Sequence, residues 1–148
     1  MDIQIANRQK RHPIRLRTMR RRIRIILDAL TSPDAELSIV LVDDLEIAAM
    51  NRRFLHREGP TNVIAFPMRA GRFAALRPNL LGDVVISVET ADREARSAGL
   101  SIEERVTQLL VHGILHLCGY DHERDPAEAR RMSAKSRALL AKIRASES

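Results

Sequence analysis

Three of the chain's five histidines fall within the twelve residues Val111 to His122. His112 and His116 are four apart, a spacing that puts both imidazoles on one face of a helix. Gly119 can take the left-handed conformation that ends a helix and reverses the chain. Such a turn would carry His122 back toward the other two. Three neutral imidazoles around one point, with one position open, form the donor set of a catalytic zinc site, here one Zn2+ per chain. From Val106 to Cys118 only Thr107, Gln108 and the two histidines are clearly polar, so the helix is expected to be buried. Buried imidazoles need partners, because an unsatisfied buried polar group costs about 1–3 kcal/mol. The competing reading is a pair of core histidines bonded to carbonyls. Cys118 falls on roughly the opposite side of the helix from His116 and reads as a small core residue.

The order of these residues also overlays H-E-x-x-H-x-x-G-x-x-H, in which the glutamate is the general base of a zinc peptidase. That position is Gly113. The metal cage is kept and the proteolytic base is lost.

The stretch His-Gly-Ile-Leu-His-Leu-Cys-Gly-Tyr-Asp-His, residues 112–122, resembles the H-G-x-L-H-L-x-G-Y-D-H signature of the YbeY family. Pro60-Thr61-Asn62-Val63-Ile64-Ala65-Phe66-Pro67 resembles that family's P-T-[DN]-V-L-S-F-P, and Leu81-Gly82-Asp83-Val84-Val85-Ile86 its L-G-D-[IV]-x-I. The resemblance implies a metal-dependent endoribonuclease, specific for single strands, acting in 16S ribosomal RNA maturation and ribosome quality control. It also implies a catalytic arginine directly after the aromatic residue preceding the first motif. Here that position holds Leu55, and Arg57 is the nearest basic candidate. Ala65, where the family usually has serine or threonine, is a smaller departure. The alternatives are a ribosome-associated RNA-binding factor with a structural metal and little nuclease activity, and, third, a zinc peptidase.

Zinc lowers the pKa of bound water toward ~7 and polarises phosphoryl oxygens. For RNA, either water or the neighbouring 2′-hydroxyl could attack phosphorus, and the residues do not distinguish them. Asp121 could orient a ligand imidazole or cap the chain after the turn.

The rest of the chain must position these groups. At 148 residues and 45% apolar content it suits one globular domain. No apolar run approaches membrane-spanning length, no secretory signal is evident, and a single cysteine permits no internal disulfide, as in a reducing cytosol. The resemblance implies RNA and the ribosome as partners; DNA and membrane are not expected, and the expected compartment is the cytoplasm. Net charge is +6, yet residues 3–27 carry nine basic residues and no acid. That local excess fits either an RNA backbone or a solvated helix face. Aromatic residues are 3% and tryptophan is absent, so recognition through phosphates is expected rather than a broad stacking platform.

Alternating Asp2–Asn7 reads as a strand. Pro13 opens a helix to about Leu30, with Leu16, Met19, Ile23, Ile26, Leu27 and Leu30 as its apolar stripe and arginines elsewhere on its surface. Leu37–Val42 is a buried strand. Asp43 with Glu46 starts a helix to about Phe54, and strand–helix–strand order predicts a parallel crossover. Val63–Phe66 and Gly82–Ser87 are further strands. Between them, 68–81 reads as an exposed loop in which Arg69, Arg72 and Phe73 could touch substrate. A helix to Ala98 closes at Gly99. Ser101 with Glu104 forms a capping box that opens the histidine helix, Ile102 to about Cys118. Asp125-Pro126 opens a last helix to about Ala145, packing through Ala129, Met132, Leu139, Leu140 and Ile143. The expected fold is α+β, a single domain over 1–148. A small mixed sheet of about four strands packs against helices, and a central buried helix carries the histidines.

Overall fold

The computed structural model describes residues 1–31, 33–68, 79–121 and 125–148. The elements run β1 (Asp2–Asn7), α1 (Leu16–Leu30), β2 (Glu36–Val42), α2 (Asp44–Leu55), β3 (Val63–Pro67), β4 (Leu80–Ser87), α3 (Val88–Ala98), α4 (Ile102–Leu117) and α5 (Pro126–Glu147). The four strands form one mixed sheet in the order β1-β2-β4-β3. β1, β2 and β4 are parallel, and β3 pairs antiparallel to β4 as an edge strand.

Strand alternation divides the sheet into two faces. Leu37, Ile39 and Leu41 of β2, Val84 and Ile86 of β4, and Ile3 of β1 point into the main core, where they meet Met19, Ile23, Ile26 and Leu27 of α1 and the apolar side of α4. Met132, Leu139 and Ile143 of α5 close that core. The opposite face is covered in part by α2, with Ile47 packed on Val42, Ile64 and Val85. α4 is therefore the central helix, with nine buried residues.

Cap chemistry sets most helix starts. The Asp43 side chain accepts from the Glu46 amide at α2, Ser87 from Thr90 at α3, and Asp125 from Glu128 at α5. α1 is the exception. Gln9, nearly buried, accepts from the His12 amide and donates to its carbonyl at 3.0 and 2.8 Å. Arg15 stays extended without a side-chain cap, so the helix begins at Leu16 and not at Pro13, and Leu16 is itself exposed.

The arginines of α1 lie on its surface as expected, and several of them are paired. Arg22 is bidentate to Glu147 of α5 through Nε and Nη2 at 2.7 and 3.0 Å, and donates to Thr107 of α4 at 2.8 Å. Arg21 also meets Glu147, Arg15 meets Glu103, and Arg20 donates to the Ile3 carbonyl. Arg20, Arg21 and Arg22 thus join α1 to β1, α4 and α5, while Arg15, Arg17, Arg21 and Arg24 remain exposed.

Candidate metal centre

α4 begins with both halves of its capping box. Ser101 Oγ accepts from the Glu104 amide at 3.1 Å, and Glu104 accepts from the Ser101 amide at 2.9 Å. The helix then crosses the sheet with Gly113 as its closest point. A Cβ there would lie 2.7 Å from Val84 Cγ1 and 3.4 Å from Val63 Cγ2. Gly82 makes the matching allowance beneath the next turn. Its φ is +142°, and a Cβ would stand 2.2 Å from the Phe66 carbonyl oxygen and 3.0 Å from Leu117. The glycine of the L-G-D stretch and the glycine after the first histidine therefore do one job, seating α4 on β3 and β4. The mid-helix glycine was the available signal, since it costs helix stability unless packing demands it.

With Gly113 against the sheet, His112 and His116 emerge together on one flank of the helix, both half-buried. Their Nε2 atoms approach to 3.2 Å, with ring centroids 4.6 Å apart and planes at 74°. A direct hydrogen bond would need one ring to donate and the other to accept. Two lone pairs aimed at one cation need neither. For tetrahedral zinc with Zn–N of about 2.0–2.1 Å, neighbouring donors stand roughly 3.3–3.4 Å apart. The observed separation fits that edge.

The chain reverses directly after the pair. Gly119, at φ +98°, donates to the His116 carbonyl, and Tyr120 donates to Leu115, both at 3.0 Å. These are the two bonds of a Schellman motif. His122 lies outside the described residues, as do Arg69, Arg72 and Phe73. Among the described residues no third His, Cys, Asp or Glu completes a metal-holding group. Cys118 packs against the core, and Asp121 is half-buried just beyond the turn.

Arg57 is exposed in the loop between α2 and β3. His56 takes a left-handed φ of +56° to end α2. The Arg57 amide bonds the Asn51 carbonyl at 3.2 Å, and the buried Asn51 side chain donates to Gly59 at 3.0 Å. The loop is therefore pinned while the Arg57 guanidinium stands free of ion pairs among the described residues. Leu55 is 42% exposed, so an apolar residue occupies a solvent-facing position. Asn62 ties the start of β3 to the rest, its carbonyl accepting from Ser87 and its amide donating to Glu94.

The family model described as Endoribonuclease YbeY matches residues 4–144. The Endoribonuclease YbeY of Geobacter metallireducens is 54% identical over 142 residues, covering 95% of each chain. The chain belongs to the YbeY family. The YbeY of Syntrophotalea carbinolica is 51% identical over 143 residues, covering 96% of this chain and 95% of its own. That of Aquifex aeolicus is 39% identical over 134 residues, covering 90% and 87%. A Thermotoga maritima protein solved in solution superposes with a TM-score of 0.67 at 23% identity, over 95% of this chain and 88% of its own. That likeness concerns the fold, which is α+β with a four-stranded mixed sheet, as this YbeY sequence implies. No helix among the described residues is long and apolar enough to cross a membrane.

Proposed function

We propose that this YbeY protein is a metal-dependent endoribonuclease that cleaves single-stranded RNA in the maturation and quality control of 16S ribosomal RNA, in the cytoplasm. The observation that carries the reading is the convergence of two imidazole Nε2 atoms to 3.2 Å on the buried helix, in a chain whose relatives are endoribonucleases by name. His112, His116 and His122 would hold one zinc ion. When bound there, zinc supplies Lewis acidity toward a phosphoryl oxygen and makes water more acidic.

The chain's own residues do the rest. α4, seated by Gly82 and Gly113, fixes the two imidazoles against movement. The Schellman turn fixes the exit of the chain from α4 at Gly119 and Tyr120. Arg57, pinned by its backbone and free at its guanidinium, is the candidate to offset charge on a scissile phosphate. A peptidase is disfavoured sterically as well as chemically, because position 113 faces Val84 and has no room for a glutamate.

The deciding experiment is cleavage of single-stranded RNA by metal-analysed protein, with chelator and His116→Ala controls. Cleavage that tracks about one zinc per chain supports the enzyme. Full zinc with no cleavage would leave a ribosome-associated binding factor with a structural metal. Full zinc in His116→Ala protein would remove the proposed cage.

A further inference from the structure

α2 packs on the sheet through a stripe at helical spacing, Ile47, Met50, Asn51 and Phe54. Ile47 and Asn51 are buried, but the stripe runs on past its cover. Phe54 is 53% exposed and Leu55 beside it 42%. Phe54 is held in place all the same. Phe66 of β3 meets it edge to face, with centroids 5.6 Å apart and planes at 78°. The Arg53 guanidinium carbon stands 5.2 Å from its ring centroid. Arg52, Arg53 and Arg57 are all exposed, and among the described residues none has a carboxylate partner. On α1, by contrast, Arg15, Arg21 and Arg22 are each paired to an acid.

A half-exposed aromatic ring held beside a guanidinium that has no carboxylate partner among the described residues has the chemistry of a single-strand nucleic-acid contact. Arg53 lies over one face of the ring; the opposite face accepts an unpaired base and the guanidinium a neighbouring phosphate. We propose that Phe54 is a base-stacking shelf for single-stranded RNA, with Arg53 binding a flanking phosphate. The proposal rests on the RNA reading above. It also gives that RNA a direction. α4 lies over the face of β3 that presents Val63 and Ala65, whereas Phe66, which Phe54 contacts, lies on the other face. A strand held at both places passes around the outer edge of β3, the terminal strand of the sheet among the described residues.

The test is fluorescence anisotropy with a short unstructured RNA, a matched RNA duplex and a salt titration. The proteins are wild type, Phe54→Ala, Phe54→Tyr and Arg53→Gln. Phe54→Ala should weaken single-strand binding roughly tenfold and leave the salt slope unchanged, because stacking releases no counterions. Phe54→Tyr should restore affinity. Arg53→Gln should flatten the slope by about 0.7. Duplex binding should not respond to Phe54→Ala, and zinc content should stay constant throughout. Single-strand affinity unchanged in Phe54→Ala, beside a wild type that binds, would overturn the shelf alone. A wild type that binds no RNA at low salt would overturn the shelf and the RNA reading together. Sedimentation that shows Phe54→Ala dissociating a dimer would assign the ring to a second copy of the chain instead.

Discussion

Gly113 separates what residue identity reveals from what packing decides. Read as a letter in a motif, it marks an absent general base. In the fold it marks the point where α4 touches Val84 at a distance no side chain tolerates. Gly113→Ala should destabilise by about 1–2 kcal/mol, the overpacking penalty less the gain in helix propensity. Gly113→Glu, which would complete the peptidase motif, should cost more than ~3 kcal/mol by adding an unpaired buried carboxylate and should yield no peptidase. Urea unfolding measures both. A Gly113→Glu protein as stable as wild type would show that the helix can lift from the sheet. Arg57 makes the opposite prediction. Exposed and without an ion pair among the described residues, it can be replaced by alanine within about 0.5 kcal/mol of wild-type stability, yet RNA cleavage should fall tenfold or more with zinc content unchanged. If cleavage is untouched, the phosphate must be met by another cation, and Arg69 and Arg72 are the next to replace. The histidine spacing was legible in the sequence because a helix imposes it. The exposure of Phe54 was not, since a residue in step with a core stripe reads as core until the stripe is seen to outrun its sheet.

The elements were legible where side chains state their own ends. Asp43, Ser101, Asp125 and the glycines at 99 and 119 speak through caps, and the structure places helix ends at each of them. The start of α1 was not, because Pro13 only permits a helix there, while Gln9 closes the preceding turn. β4 starts at Leu80, two residues before the expected Gly82, because Glu36 of β2 pairs with Leu80 across an irregular register. The turn after α4 carries its own prediction. Gly119→Ala should cost about 1–2 kcal/mol for a left-handed alanine. It should also lower zinc retention, by disturbing the path from His116 to His122. Metal competition with a chelator reads the second effect. Unchanged retention would detach the turn from the metal centre.

At the scale of the whole molecule, charge organises as much as it attracts. The basic run on α1 seemed available to RNA when read along the chain, but ion pairs need three dimensions to be found, and Glu147 lies far away in sequence. Its hydrogen bond from Arg22 holds the Glu147 carboxyl below its ordinary value of 4.5. At Asp44, burial pushes the carboxyl up, but bonds from Ser87, Thr90 and Arg93 together outweigh it and hold the group below 3.8. Both groups are depressed in the folded state. Their contribution is therefore complete above the ordinary values and is lost as pH falls through the folded ones. Thermal stability should decline as pH drops below about 4.5, and Glu147→Gln should make that decline shallower while lowering stability at neutral pH. An acid profile identical to wild type would show the pair to be energetically silent, as exposed pairs often are.

The bond between Arg22 and Glu147 spans 125 residues, nearly the whole length of the chain. On a ribosome adding about 5–20 residues per second, Arg22 is made roughly 6 to 25 seconds before the carboxylate that receives it. Late in that interval the nascent chain has its parallel strands and its histidines but no α5 to shield α1, and a half-buried guanidinium without its acid. Closure of the fold is thus deferred until α5 has been made. A nascent chain released before Glu147 should be a substrate for proteases rather than a slightly weaker enzyme.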